Sequence, residues 1–241
     1  MKLLMMGVKS VAILVVCAGM LPAGDIHGTI VIDHKLSHHN VTASAGIYQR
    51  GTAVPLEADS VRDPLAFERS HVAVYIEGNP VGGSANTSLE KAGIEQRDRR
   101  FVPDLVVVPA GSTVAFPNFD PIFHNVFSLS KAKSFDLGNY PKGQTRVVSF
   151  ATAGVVAVYC HLHSNMAATI VVAPNAWATR VDGAGDFILK DVPAGTYTVV
   201  AWHKTAGTFR RTITLDGAKD ADLSFTLPYV ELPEEKHVAH R

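Results

Sequence analysis

The sequence predicts an all-β protein that combines two small sandwiches. Short runs rich in Val, Ile, Thr and aromatic residues recur along the chain, often alternating with polar residues. Turn clusters punctuate them: Pro109-Ala110-Gly111-Ser112, Thr152-Ala153-Gly154, Asp182-Gly183-Ala184-Gly185 and Val192-Pro193-Ala194-Gly195. Beyond the N-terminal segment no stretch carries the 3.6-residue period of an amphipathic helix. A chain of 241 residues has room for one large domain or two small ones.

Residues 1–23 read as a secretory signal. Lys2 and Lys9 give a basic start, Val11 to Met20 is apolar, and Pro22, Ala23 and Gly24 follow. The apolar run is too short to span a bilayer comfortably. The expected location is periplasmic or secreted, with no stable membrane span once the signal is removed. Cys17 then leaves with the signal, and Cys160 remains as a lone thiol that cannot form an internal disulfide. The 22 basic residues balance the 22 acidic ones. No basic excess exists to neutralise phosphates, so a nucleic-acid partner is not expected.

From residue 25 the chain opens with a strand, Asp25 to Ile32, whose β-branched alternation is clear. His34, His38 and His39 follow in a polar loop and read as solvated. Val41 to Ser70 reads as a long irregular connection. His71 to Glu77 is a strand, stopped by Gly78-Asn79-Pro80. Residues 91–174 change texture. Asp104 to Val108, Thr113 to Phe116, Thr145 to Phe150 and Val155 to Tyr159 read as strands, and Phe135 to Gly143 as turn-rich. Residues 175–228 return to the earlier pattern, with strands at Trp177 to Arg180, Asp186 to Leu189, Thr196 to His203, Thr208 to Leu215 and Ala221 to Leu227. Residues 229–241 form a charged tail.

The chemistry concentrates in VVAVYCHLHSNMAATIVV, residues 155–172. Two apolar strands bracket a loop that offers Cys160, His161, His163 and Met166. Thiolate and thioether suit Cu(I), and imidazole suits both copper oxidation states. His2Cys with a weak axial Met is the blue-copper ligand set. The loop then needs one more histidine. His124 is the candidate, the one histidine between His71 and the loop.

The segments VPAGSTVAFPNFDPIFHNVFS and GVVAVYCHLHSNMAATIVV resemble the cupredoxins, the plastocyanin/amicyanin family. The resemblance covers about a third of the chain. It implies a Greek-key cupredoxin β-sandwich over residues 91–174, binding one copper ion through His124, Cys160, His163 and Met166. It also places Asn125 beside the first ligand as a tie between the two ligand loops. The Cys-x2-His-x2-Met spacing is of the short, amicyanin kind. Leu162, Ser164 and Asn165 stand where such loops commonly carry Pro or an aromatic, which puts the family's apolar docking surface around the last histidine in doubt. His161 reads as a neighbour of the site, because strand alternation turns it away from Cys160.

The flanks resemble a carboxypeptidase regulatory-like, transthyretin-like β-sandwich. The resemblance rests on Val181-Asp182-Gly183-Ala184-Gly185-Asp186-Phe187 and Asp191-Val192-Pro193-Ala194-Gly195-Thr196-Tyr197-Thr198-Val199. Residues 25–90 would supply its first strands and 175–228 the rest. Two arrangements follow: a split second sandwich, or two half-built flanks added as strands to the first. The expected function is single-electron transfer to an unidentified redox protein partner, with no catalysis. The alternative is an envelope protein that binds or carries copper without an electron-transfer role.

Overall fold

The computed structural model describes residues 22–36, 63–78, 80, 92–217 and 219–227. Residues 1–21 of the segment read as a signal, His38, His39 and the charged tail lie outside the described residues. In chain order the elements are β1 (Ala23–Ile32), α1 (Ala66–Ser70), β2 (Val72–Ile76), β3 (Ala92–Gly93), β4 (Glu95–Arg97), β5 (Arg100–Val102), β6 (Leu105–Pro109), β7 (Ser112–Pro117), β8 (His124–Ser130) and β9 (Lys133–Tyr140). Then come β10 (Thr145–Phe150), β11 (Gly154–Tyr159), β12 (Ala167–Ala173), β13 (Ala178–Arg180), β14 (Asp186–Pro193), β15 (Gly195–His203), β16 (Gly207–Leu215) and β17 (Ala221–Leu227).

The strands build two cores. One lies between the sheets β14-β1-β17 and β13-β2-β15-β16 and is filled by Ile26, Ile30, Val74, Phe187, Val199 and Phe225 among others. β1 is its central strand, antiparallel to β14 and parallel to β17. Gly28 is required there: a Cβ would meet the Phe187 ring 2.1 Å away. The second core lies between the sheets β10-β7-β3 and β6-β12-β11-β8-β9. β7 shows the logic: Ser112, Val114 and Phe116 are buried while Thr113 faces water, the period-two pattern of a half-buried strand. Cys160 and Met166 belong to this second core.

Two stretches differ from their sequence reading. Residues 135–143 read as turn-rich, but 135–140 belong to β9. Asp136, Gly138 and Asn139 weaken the strand signal, but β9 is an edge strand with one neighbour, β8, and Phe135 and Leu137 pack on the core. Pairing overrides weak local propensity. Residues 66–70, read as irregular, form one helical turn. The turn is too short to display a period. It is fixed locally, by the Asp63 carboxylate accepting the Leu65 N–H at 2.9 Å and by ion pairing of Asp63 with Arg69.

The two sandwiches meet along β12. Ala73, Leu105 and Val171 form a small buried cluster at this seam, with Tyr75, Val107 and Trp202 packed against it. Beside it His71 donates from Nε2 to Asp104 Oδ1 at 2.8 Å and from Nδ1 to the Phe67 carbonyl at 2.7 Å. Both partners only accept, so the ring carries both protons. Burying Leu105 and Val171 is worth roughly 1.5–3 kcal/mol each. A partly exposed ion pair is worth roughly 0–1 kcal/mol. The apolar cluster therefore holds the seam, and the ion pair orients it.

Burial by itself would lower the His71 pKa. The hydrogen bonds to Asp104 and the Phe67 carbonyl, with the Asp104 charge, outweigh burial and the opposing Arg180, and hold it above its ordinary 6.5. Asp104 is likewise held below its ordinary 3.8, by His71 acting against burial. The pair's contribution is thus complete between about pH 4 and 6.5 and fades as pH rises through the raised His71 value. Burial, with the His71 charge and against Glu68, pushes the His203 pKa down, so His203 enters with the opposite sign. The stability difference between wild type and His71→Gln should be largest near pH 5–6 and shrink toward pH 8. Urea midpoints across that range would check this. A difference that stays constant with pH would exclude the charged clamp.

Candidate metal centre

The hairpin β11–β12 closes at the pair Tyr159↔Ala167, leaving residues 160–166 as its loop. Alternation along β11 buries Val156 and Val158 and continues to Cys160, which is 5% exposed. At the end of the loop Met166, and on the returning strand Ala168 and Ile170, face the same core. Met166 is buried, and its N–H donates to the His163 carbonyl at 3.1 Å. His163 itself stands half-buried at the loop's edge.

His124 is fully buried at the start of β8. The preceding loop is held by the buried Asn118. Its amide donates to the carbonyls of Ile122 (2.9 Å) and Tyr140 (3.0 Å), and its Oδ1 accepts the Asp120 N–H at 2.9 Å. His124 Nδ1 lies 3.1 Å from His163 Nδ1, and Cys160 Sγ lies 3.8 Å from the same nitrogen. The three ligand atoms all fall within 4.8 Å of one another. Transition-metal bonds of about 2.0–2.3 Å give adjacent ligands separations of this size. A thiol and two imidazoles, with a thioether nearby, form a donor set that fits copper.

Polar groups around the cluster orient it. Asp120 Oδ2 faces His124 Nε2 at 2.7 Å, and Asp120 is 6% exposed. The Asn125 N–H points at Cys160 Sγ at 3.5 Å. The Asn125 side chain accepts the His161 N–H (3.4 Å) and donates to Asp136 (2.6 Å), so it joins β8, β9 and the ligand loop. Partial burial and the neighbouring His124 push the His163 pKa down, which keeps its lone pair available near neutral pH. Tyr140, pushed up to about 12 by burial, donates to the Phe116 carbonyl and accepts from Gln96.

The structure thus brings together His124, Cys160 and His163, with Met166 in the same core. His161 faces outward, stacked on Phe127 with ring centroids 3.7 Å apart, and its Nε2 lies 3.7 Å from Asp136. His34 is exposed and bonded to Asp33. Sequence reasoning missed Asp120. A carboxylate four residues before the candidate histidine was visible, but that spacing has meaning only on a helix. It also missed the source of exposed apolar surface beside the cluster. Phe119 and Phe123, on the loop before His124, are 42% and 56% exposed, and Leu162 in the ligand loop is 48% exposed.

Asn125→Ala removes two hydrogen bonds, the tie from β8 to Asp136 and to the His161 N–H. It should lower unfolding stability by about 1–3 kcal/mol, read as a lower urea midpoint at unchanged slope. An unchanged midpoint would mean the tie is not structural.

No known family profile matches the sequence, and no curated protein matches it. Solved structures do. The chain is similar to a variant of amicyanin in its Cu(I) form, at 19% identity over 41% of this chain and 97% of that one, with a TM-score of 0.33. It is similar to a purple cupredoxin from Nitrosopumilus maritimus, at 23% identity over 34% of this chain and 99% of that one, with a TM-score of 0.32. It is also similar to the copper-containing nitrite reductase of Thermus scotoductus SA-01, at 20% identity and a TM-score of 0.33. That match covers 34% of this chain and 22% of the reductase, so the chain spans about a fifth of it. These neighbours are cupredoxins.

Proposed function

We propose that this protein is a periplasmic or secreted carrier of single electrons built on one type-1 copper ion. His124, Cys160, His163 and Met166 would hold it. The observation that carries this reading is the convergence of two imidazoles and a thiol, from two loops, within 4.8 Å. Copper would supply the redox change between Cu(I) and Cu(II). The chain supplies ligands acceptable to both states, a buried cysteine and loops fixed by hydrogen bonds. The N–H of Asn125 aimed at the sulfur is one of the groups that tune such a site.

A redox protein partner would dock over the half-buried His163, on the apolar side chains Phe119, Phe123 and Leu162. His163 would be the route by which electrons reach the buried thiolate. Its partial exposure also supports a second reading, a copper carrier, because a ligand at the surface offers the ion a way out. Exchange kinetics separate the two: an electron carrier holds its ion against a chelator, and a copper carrier releases it.

Adding Cu(II) to the purified protein should give an intense blue absorption at one ion per chain. The band should vanish on reduction and be absent in Cys160→Ser. Weak, ordinary Cu(II) colour in the wild type would remove the thiolate from the ligand set. Phe123→Asp should slow electron self-exchange between oxidised and reduced copies at least tenfold at low salt, through like-charge repulsion at the docking face (about 1.4 kcal/mol per tenfold). NMR line broadening in mixed samples would measure it, and an unchanged rate would move the docking face elsewhere.

A further inference from the structure

We propose that Asp120 is a positioning residue for the metal centre: it fixes the tautomer of His124 and biases the site toward Cu(II). This rests on the copper reading above. The carboxylate is 6% exposed and accepts three hydrogen bonds. Its Oδ2 takes the His124 Nε2–H at 2.7 Å and the Arg99 N–H at 2.9 Å, and its Oδ1 takes the Asp98 N–H at 2.7 Å. The carboxylate already takes two backbone N–H groups and faces His124 as an acceptor, so His124 carries its proton on Nε2. The Nδ1 lone pair is then left facing Cys160 and His163.

The donors to Asp120 come from a turn that is costly to form. Asp98 and Arg99 link β4 to β5 with φ of 52° and 55°. Two-residue turns of this kind favour Asn-Gly or Asp-Gly, and a non-glycine residue held there is strained. Both strained residues direct their N–H groups at the one carboxylate. The hairpin is locked to the same loop by the bridge Gln96↔Asn118 and by the Phe119 N–H, which donates to the Gln96 carbonyl at 2.9 Å. A fixed anion therefore sits one imidazole ring away from the metal position, in a site that water barely reaches. A full negative charge there stabilises Cu(II) more than Cu(I). It also makes the imidazole a better donor, as carboxylate partners of ligating histidines do. It opposes the preference for Cu(I) that an axial thioether and an apolar surround create.

Asp120→Asn keeps the size of the side chain and removes the charge and one acceptor. Cu(II) affinity, measured against a competing chelator, should fall about tenfold. Cu(I) affinity should not change, so the reduction potential should rise by about 59 mV. Asp120→Glu, which keeps the charge, should restore most of the difference. A copper-loaded Asp120→Asn protein whose potential is unchanged or lower would overturn the proposal. A second measurement needs no variant: 15N NMR of the metal-free wild type should show His124 protonated on Nε2 with an unprotonated Nδ1. The opposite tautomer would overturn the positioning role even if the variants do not fold. If the wild type takes up no copper, the copper reading fails on its own, and the tautomer still decides whether Asp120 positions His124.

Discussion

The strand β12 is buried on both faces, and much of the molecule is arranged by that constraint. From Ala168 to Ala173 every residue is inaccessible. Ala168, Ile170 and Val172 fill the core that also holds Cys160 and Met166, while Val171, with Leu105 of the neighbouring β6, packs on Ala73 of the other sandwich. A strand covered on both sides cannot slip by one residue, because each face would then meet the wrong partner. Met166 is the residue immediately before it. The end of the ligand loop is therefore set by a register that two cores enforce together.

The start of the metal centre is set differently. His124 has no second core behind it. Its position comes from polar ties: Asn118 closing its loop, Asp120 on its Nε2 and Asn125 reaching across to His161. Hydrogen bonds to charged groups are worth about 1.5–3 kcal/mol each, enough to retain a strained turn at Asp98-Arg99. One ligand loop is held by packing and the other by hydrogen bonds. They meet at three atoms within 4.8 Å.

The seam between the sandwiches follows the same division. Apolar burial at Leu105 and Val171 supplies the attraction. The directional His71–Asp104 pair sits beside it. A cavity of about 180 Å³ lies along this seam, lined by the buried Glu68 and His203 and by the start of β12. The flanking sandwich thus does more than extend the chain: it covers the outer face of the strand that carries the end of the ligand loop.

The all-β class was legible because alternation and turn residues are local properties of the chain. The ligand loop was legible for the same reason. Cys160, His163 and Met166 lie within seven residues on one hairpin, and strand parity alone turns Cys160 inward and His161 outward. β9 and α1 were not legible, since an edge strand with Asp and Gly is decided by its neighbour and a helix of one turn is too short to display a period. Asn125 could be read through its place beside His124. Asp120 could not, because its role exists only once the β4–β5 turn, distant in sequence, is folded against its carboxylate. Short-range covalent spacing determined which donor atoms are available and on which face they lie. Tertiary structure decided which charge stands behind them, because electrostatic neighbours are set by distance in space and not by position along the chain.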